Sequence, residues 1–157
     1  MSKRPFKVGL ISDTHNLVRS EAKRALAGVD RILHAGDICG TEVLDELREI
    51  APVVAVRGNN DHGFWAESIQ VTTAFEIGGV SIYILHDINE LDLDPKVAGF
   101  RVVISGHSHR PLIHDNNGVL FVNPGSAGPR RFTLPVSLGL LEIFQGNVHA
   151  KLCTLRP

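Results

Sequence analysis

The sequence predicts a single α/β domain in which two mixed β-sheets pack face to face, with helices on the outside. Three observations lead to this fold class. Strand and helix patterns alternate in the first half of the chain, hairpin patterns fill the second half, and 157 residues suffice for one core but not comfortably for two. The sequence has no repeat, low-complexity segment or linker, so residues 1–157 are assigned to one domain.

The first half alternates short apolar runs with helical patterns. Residues 41–50 place Val43, Leu44 and Leu47 on one stripe behind Thr41, a natural N-cap. A helix between successive strands implies crossover connections and a parallel sheet. The predicted strands are residues 7–12, 31–35 and 53–56, and the predicted helices are residues 20–27, closed by Gly28, and 41–50.

The second half is rich in β-structure. Gly78-Gly79 separates two alternating apolar runs, which is typical of a hairpin with a two-residue turn. Further polar turns separate later apolar runs in the same way. The predicted strands are residues 71–77, 80–85, 101–105, 111–114, 119–122, 137–144 and 148–155, with turns at 78–79, 115–118 and 145–147 and a short helical piece at 94–99.

Composition excludes several classes of protein. With 43% hydrophobic and 21% charged residues and a net charge of −1, the chain has no basic stripe of the kind that binds nucleic acid. Its two cysteines do not make a disulfide framework. The apolar stretch at residues 8–12 is too short for a signal peptide, and no segment approaches the roughly 20 apolar residues of a membrane span. We therefore expect a cytoplasmic protein.

Seven side chains that bind metals lie in five short segments, each at or near the end of a predicted strand. They are Asp13 and His15, Asp37, Asn59, His86, and His107 with His109. Residues at i and i+2 of an extended chain point to the same side, so the first pair can reach one ion, and so can the last. Taken singly each segment is weak evidence, but together they predict two metals at one sheet edge.

The charge and donor types of this set indicate the chemistry. Two divalent cations and two carboxylates leave two positive charges, and a bridging hydroxide leaves one. Such a site attracts an anion and stabilises the charge that develops during hydrolysis of a phosphate ester. Mixed nitrogen and oxygen donors favour Mn, Ni, Fe, Co or Zn over Mg or Ca, with manganese as the first expectation.

The order of these motifs resembles the calcineurin-like metallophosphoesterase superfamily. The motifs are Asp13-Thr14-His15, Gly36-Asp37, Gly58-Asn59, His86 and Gly106-His107-Ser108-His109. The small size and Asn123-Pro124-Gly125-Ser126 resemble its compact prokaryotic phosphodiesterases. The resemblance runs from about Val8 to the last hairpin. It implies a four-layer α/β/β/α sandwich with a dinuclear site at one edge.

The resemblance also implies roles for individual residues. Asp13, His15, Asp37 and His109 would hold one metal, and Asp37, Asn59, His86 and His107 the other. Asp37 and Asn59 are also counted as catalytic. The implied reaction is attack by a metal-bridging hydroxide on a small phosphodiester.

One position departs from the family pattern. Many members have a histidine after the metal-binding asparagine, and it protonates the leaving group. Here that position is Asn60, whose amide cannot act as a general acid at neutral pH. His62 is a substitute candidate, although a solvated loop histidine is an equally good interpretation. Asp61 is expected to orient the loop.

Four residues are candidates for substrate binding, each with a plainer alternative. Asn60, Asn123, Ser126 and Arg130 are these candidates. Asn-Pro-Gly-Ser is also an ordinary turn sequence, and Arg130 with Arg131 is also a plausible solvated pair. Cys39 has no ligand role in the family, and His34 is expected to be a satisfied core histidine.

Other functions are compatible with the same motifs. A phosphomonoesterase or a dinucleoside-polyphosphate hydrolase would use the same metals. A non-catalytic scaffold of the same fold is a more distant alternative, because such a protein should have lost ligands, and here all seven are present. Exposed hairpin edges offer a route to homo-oligomers without fixing a symmetry.

Overall fold

A computed structural model of the chain describes residues 4–156 and contains two five-stranded sheets. The strands are β1 (Phe6–Ile11), β2 (Arg31–His34), β3 (Val53–Ala55), β4 (Thr72–Ile77), β5 (Val80–Leu85), β6 (Val102–Ile104), β7 (Leu112–Asn116), β8 (Val119–Asn123), β9 (Ser137–Phe144) and β10 (Asn147–Thr154), and the helices are α1 (Ser20–Ala25), α2 (Thr41–Arg48) and α3 (Phe64–Glu67).

Both sheets are mixed, as predicted. The first has the order β10-β9-β1-β2-β3, in which β1, β2 and β3 run parallel because α1 and α2 return the chain between them. The C-terminal hairpin completes this sheet, with β9 antiparallel to β1. The second sheet has the order β4-β5-β6-β8-β7, with β5, β6 and β8 parallel and an antiparallel strand at each edge.

Apolar side chains fill the space between the sheets and cover both outer faces. Leu10, Leu33, Ile82 and Ile104 are fully buried between the sheets. Buried residues of α1 and α2, with Leu26, pack on the outer face of the first sheet. These layers confirm the predicted sandwich of two sheets with helical cover.

The outer face of the second sheet has a different cover. Tyr83 and Val103 pack there against apolar side chains of residues 91–100, which follow a 3-10 turn at Ile88–Glu90. The helical piece predicted at 94–99 is wrong, because this segment is a series of turns. The Asp94 carboxylate accepts the backbone N–H of Lys96 at 3.0 Å, an Asx turn that competes with a regular helix.

The two ends of the sandwich differ in their connections. The carboxyl ends of β1, β2, β3, β5 and β6 meet at one edge, and the segments that follow them carry the predicted ligands. All three two-residue hairpin turns, at 78–79, 117–118 and 145–146, lie at the opposite end.

Among residues 4–156, no helix is long and apolar enough to cross a membrane.

Candidate metal centre

The structure brings all seven predicted ligands together at the carboxyl edge of the strands. His109 Nε2 lies 3.4 Å from Asp13 Oδ1, and His86 Nε2 lies 3.4 Å from Asp37 Oδ2. His15 Nε2 lies 3.7 Å from Asp37 Oδ2. His107 Nδ1 extends this series of contacts, because it lies 3.3 Å from His86 Nε2 and 3.2 Å from Asn59 Oδ1.

Asp13, His15 and His109 form one group that fits a metal ion. Their ligand atoms all lie within 4.8 Å of one another. Asp13 Oδ1 and His15 Nε2 are buried, and neither has a hydrogen-bond partner among residues 4–156. A buried polar atom without a partner is costly. Donors each about 2.1 Å from an ion lie roughly 3–3.5 Å apart, close to the 3.4 Å between Asp13 and His109.

Asp13, Asp37 and His86 form a second group within the same 4.8 Å limit. His86 Nδ1–H donates to the Ala35 carbonyl at 2.7 Å, which turns Nε2 toward the carboxylates. Asp37 Oδ2 lies between His86 and His15, so one carboxylate oxygen faces both groups. Asp13 belongs to both groups, and its Oδ1 lies 3.9 Å from His15 Nε2 and 3.9 Å from His86 Nε2, so both carboxylates are placed between the two groups.

The carboxylates and His86 form a charged cluster in the metal-free protein. Burial raises the pKa of Asp37, but its interaction with His86 and its hydrogen bonds from Asn60 outweigh burial, and the net pKa is lowered. The pKa of Asp13 is lowered in the same way by His109 and Ser12. Burial lowers the pKa of His86, yet Asp37 and the Ala35 carbonyl raise it overall to about 8. A proton on His86 thus occupies space suited to a cation.

Several ligands have a left-handed backbone although they are not glycine. The φ angles are 54° for Asp13, 44° for His15, 57° for Asp37, 69° for His107 and 61° for His109. Each such residue costs on the order of 1 kcal/mol, so the surrounding contacts must hold the loops in place. Backbone hydrogen bonds do so: Asp13 N–H donates to Gly36 O at 2.9 Å, and His15 N–H to Asp37 O at 3.0 Å.

Two glycines allow the ligand loops to approach each other closely. A Cβ at Gly106 would overlap Ser12 Oγ and would lie 2.7 Å from Asp13 Oδ2. A Cβ at Gly58 would overlap the backbone and carboxylate of Asp37. Neither glycine has a positive φ, so close approach explains these glycines and turn geometry does not.

His34 and Thr14 link the first two ligand loops inside the protein. His34 is fully buried, and burial lowers its pKa to about 4, so the ring is neutral. Gly36 N–H donates to His34 Nδ1 at 3.0 Å, which places the ring proton on Nε2, 3.1 Å from Thr14 Oγ1. Thr14 Oγ1 donates in turn to Ile38 O at 3.2 Å. The expectation of a satisfied core histidine is confirmed, but its link to the ligand loops was not predicted.

Asp61 orients its loop, as expected. One carboxylate oxygen accepts the backbone N–H of Asp37 at 3.0 Å and of Gly58 at 2.8 Å, and the other accepts the N–H of Cys39 at 2.8 Å. The Cys39 thiol lies 3.6 Å from His15 Nδ1, and burial with nearby carboxylates raises its pKa to about 11. Neither of the two ligand groups found within residues 4–156 includes Cys39.

The predicted substrate-binding residues lie in three kinds of environment. Asn60 donates its side-chain N–H to Asp37 Oδ2 at 2.9 Å. Asn123 and Ser126 are buried, and they hold the ligand loops through bonds to the Gly106 and Asp13 carbonyls. Arg130 lines a surface depression beside Arg19, Glu21 and Thr154. His62 is exposed in the loop that follows Asn59. A substrate contact of these residues stays a prediction.

Supporting residues such as Ser12 and Asp87 were not found from the sequence. Ser12 Oγ donates to Asp13 Oδ2 at 2.7 Å. Asp87 Oδ2 lies 3.8 Å from His107 Nε2, on the side of the ring away from Asn59. Their only signal in the sequence is that each adjoins a ligand, and many side chains do so without contacting it.

The sequence is similar to a family model and to known proteins. The family model for the calcineurin-like phosphoesterase superfamily domain matches residues 6–146. A probable metallophosphoesterase of Methanocaldococcus jannaschii is 38% identical over 132 residues, which cover 76% of this chain and 67% of that protein. A phosphodiesterase of the same organism is 27% identical over 155 residues, which cover 87% of this chain and 93% of that protein.

A solved structure has the same fold. Vps29 of Entamoeba histolytica, in complex with zinc, has a TM-score of 0.73 and 26% sequence identity, and the match covers 95% of this chain and 99% of that one. The fold, the ligand cluster, the family match over most of the chain and the 38% identical relative agree. The chain therefore belongs to the calcineurin-like phosphoesterase superfamily.

Proposed function

We propose that this protein is a metal-dependent phosphodiesterase that hydrolyses a small phosphodiester. The observation that carries the proposal is the pair of ligand groups, which share Asp13 and both face Asp37 Oδ2, with buried donor atoms of Asp13 and His15 that have no partner among residues 4–156. The similarity to a protein named phosphodiesterase supports the choice of a diester.

The donors fit two divalent transition-metal ions. Asp13, His15, Asp37 and His109 would hold one ion, and Asp37, Asn59, His86 and His107 would hold the other. Imidazole nitrogens alongside carboxylate and amide oxygens suit Mn, Ni, Fe, Co or Zn, and manganese is the first candidate to test. When bound, such ions neutralise the phosphate oxygens and lower the pKa of water that attacks phosphorus.

Side chains next to the ligands fix the orientation and the charge of the Asp37 carboxylate. Asn60 donates from its backbone N–H to one oxygen of Asp37 and from its side chain to the other, each at 2.9 Å. These bonds orient the carboxylate and keep it ionised. Asn60 supplies no acidic proton, so His62 in the same exposed loop is the proposed donor to poor leaving groups.

The acid role of His62 can be tested with two leaving groups. His62→Ala should slow hydrolysis of a diester with an alkyl leaving group and spare one that releases p-nitrophenolate, because p-nitrophenolate needs no proton. An unchanged rate on the alkyl ester would remove His62 from the mechanism and leave the rest of the proposal intact.

The main experiment uses metal-stripped protein. Bis(p-nitrophenyl) phosphate and p-nitrophenyl phosphate are assayed with Mn, Ni, Zn or Mg added back, and Asp37→Asn serves as the inactive control. We expect metal-restored hydrolysis that is faster on the diester. Faster hydrolysis of the monoester would assign a phosphomonoesterase, and no restored activity on either ester would favour a scaffold of this fold. A cytoplasmic location and homo-oligomerisation stay predictions.

A further inference from the structure

The Asn-Pro-Gly-Ser segment at residues 123–126 joins the two sheets at the ligand edge. We call it the 123–126 turn. It starts at the last residue of β8 in the second sheet, and Ser126 pairs with Val136 directly before β9 of the first sheet. Because β8 is parallel to β6, the turn begins at the edge where the predicted ligands lie. Its sequence is that of an ordinary turn, so only its contacts can show what it does.

Asn123 fixes the loop that carries the last two predicted ligands. Its side-chain Nδ2 donates to the Gly106 carbonyl at 3.0 Å and to Ser108 Oγ at 3.1 Å. Ser108 lies between His107 and His109 in the chain, and these histidines are predicted to bind different ions. Both amide protons of Asn123 are therefore used to position this loop.

The hydrogen-bonding groups of Asn123 all have partners inside the protein. Its Oδ1 accepts the backbone N–H of Gly125 at 2.9 Å, and the residue is only 7% exposed. A primary amide has two N–H donors and one carbonyl oxygen, and each of them is bonded here. A substrate would have to displace one of these buried bonds, so the contacts favour a positioning role over a substrate contact.

Ser126, at the other end of the turn, fixes the loop that carries Asp13. Its Oγ donates to the Asp13 carbonyl at 3.0 Å, and the backbone N–H of Ala127 donates to the Ser12 carbonyl at 3.0 Å. Ser126 is buried, so water has little access to its bond. The φ of Asp13 is 54°, and these bonds help to hold that strained backbone in place.

The middle of the turn is fixed by contact with Ser137 at the start of β9. Ser137 is buried, and its Oγ donates to the Pro124 carbonyl at 2.7 Å. Gly125 has a φ of 78°, and a Cβ there would overlap Ser137 Oγ. Proline and glycine at these positions thus allow a close contact that keeps the two ends of the turn at a set distance.

The two ends of the turn hold loops that carry Asp13 and His109. These ligands follow β1 of the first sheet and β6 of the second, yet Asp13 Oδ1 lies 3.4 Å from His109 Nε2. One direct bond joins the loops, from the backbone N–H of His107 to Asp13 Oδ2 at 3.1 Å. The bonds of the 123–126 turn use no ligand atom, so the turn can hold both loops while the Asp13 carboxylate binds an ion.

We propose that the 123–126 turn sets the distance between Asp13 and His109, with Asn123 and Ser126 as positioning residues for the ion that these two ligands would hold. This inference rests on the proposed function in one respect, since both require metal ions at this edge. The turn needs both of its ends, because releasing either end disconnects the two loops. The two residues should therefore affect metal binding as one unit.

The test is a double-mutant cycle on manganese affinity, measured by competition with a chromophoric chelator. Asn123→Ala and Ser126→Ala should each lower the affinity about tenfold, as for other residues that orient ligands. The double variant should also lose only about tenfold, whereas residues that act independently would lose about 100-fold. Urea unfolding of each metal-free variant checks that it is folded.

Two substitutions of the same kinds serve as matched controls. Asn116→Ala changes an exposed asparagine of β7, and Ser68→Ala removes an exposed hydroxyl that donates to the Trp65 carbonyl at 3.0 Å. Neither should change the affinity. If Asn123→Ala does not fold, Ser108→Ala replaces it in the cycle, because it removes one of the Asn123 bonds at an exposed position, and the same non-additive loss is expected.

Metal binding and hydrolysis are measured separately, so this proposal and the proposed function can fail separately. If the wild type shows the non-additive loss but hydrolyses no ester, phosphodiesterase activity is refuted and the role of the turn stands. If either single variant binds manganese as tightly as the wild type, or if the two effects multiply in the double variant, the role of the turn is overturned. Normal affinity with a raised KM on bis(p-nitrophenyl) phosphate would assign Asn123 and Ser126 to substrate binding instead. A wild type that binds no manganese overturns both proposals.

Discussion

The two ends of the sandwich use left-handed backbone in opposite ways. At the hairpin end, the two-residue turns are Gly78-Gly79, Asn117-Gly118 and Gln145-Gly146, and every one of these residues has a positive φ. This geometry matches the twist of the flanking strands, and a glycine in each turn removes most of its cost. At the ligand edge, the positive-φ residues include aspartates and histidines, whose Cβ atoms make this backbone conformation unfavourable.

The difference shows what each end is built for. A glycine at Asp13 or Asp37 would relax the backbone but would remove a carboxylate from the centre. Hydrogen bonds within and between the strained loops, such as those of His34 to Gly36 and Thr14, hold this backbone in place. The turns at the hairpin end reverse the chain with little backbone strain. The ligand edge keeps strained residues that lower the stability of the fold, because their side chains are needed at the centre.

The largest effect is expected when the ligand edge loses a carboxylate. Asp37→Asn keeps the size of the side chain but removes the charge that faces both ligand groups. We expect kcat/KM on bis(p-nitrophenyl) phosphate to fall by more than about 100-fold, because loss of residues that merely orient ligands already costs about 10–100-fold. Asp115→Asn in β7 is the control, since within residues 4–156 that side chain bonds only to the backbone N–H of Gly118 in a hairpin turn. A variant of Asp37 with near-normal activity would contradict the comparison.

The pH dependence of metal binding should be the next largest effect. Below its pKa of about 8, His86 carries a proton that a metal must displace. Affinity should therefore fall as the pH drops below 8, approaching tenfold for each further pH unit, which amounts to about 50-fold between pH 8 and pH 6. Competition with a chromophoric chelator measures it. A dissociation constant that is flat over this range would show that His86 holds no proton in the metal-free protein.

Protonation of His86 should also make the stability of the metal-free protein depend on pH. This stability should fall as the pH rises, whereas metal affinity should increase. The folded pKa of His86, about 8, is above its ordinary value near 6.5, so its contribution is complete below pH 6.5 and is lost as the pH rises through 8. In urea unfolding with EDTA present, the contribution of His86 to the free energy of unfolding should fall by about 1 kcal/mol between pH 6.5 and pH 8. His34 and His15, whose folded pKa values are lowered by burial, oppose part of this loss, because their unfolded rings still release protons near pH 6.5.

A smaller effect is expected from the link between the ligand loops. Thr14→Val keeps the shape of the side chain but removes the hydroxyl that His34 and Ile38 O contact. Metal affinity should fall about tenfold, as for other residues that orient ligands, while Thr14→Ser should stay within about threefold of the wild type. If the valine variant loses stability but binds metal normally, the link serves the fold alone.

The smallest effect is expected at the hairpin end. A Cβ at Gly79 would meet no atom within 4 Å, so Gly79→Ala tests only its φ of 78°. We expect a loss of about 1 kcal/mol in the free energy of unfolding and no change in metal affinity. Urea unfolding and chelator competition check the two values. Weakened metal binding would show that the two ends are coupled.

Local patterns predicted most strands but not their partners. The three parallel strands of the first sheet and the glycine turn at 78–79 follow from periodicity and composition within a few residues. That β9 joins β1 depends on residues 129 to 137 positions apart, from Leu10 with Gly139 to Phe6 with Ile143, and no local pattern encodes that pairing. The four-residue helix α3 was missed because it is too short to show a period.

By itself, the sequence determined the ligand types, their order and their charges, because these depend only on which side chains follow each strand. The tertiary structure decided which groups meet: Asp37 between His15 and His86, Asp61 under its loop, and Ser126 against the Asp13 carbonyl. These contacts join residues 22 or more positions apart, as in the bonds of Asp61 to Cys39 and of Ser126 to Asp13. They exist only once packing of the two sheets has closed the chain, so periodicity and spacing cannot specify them.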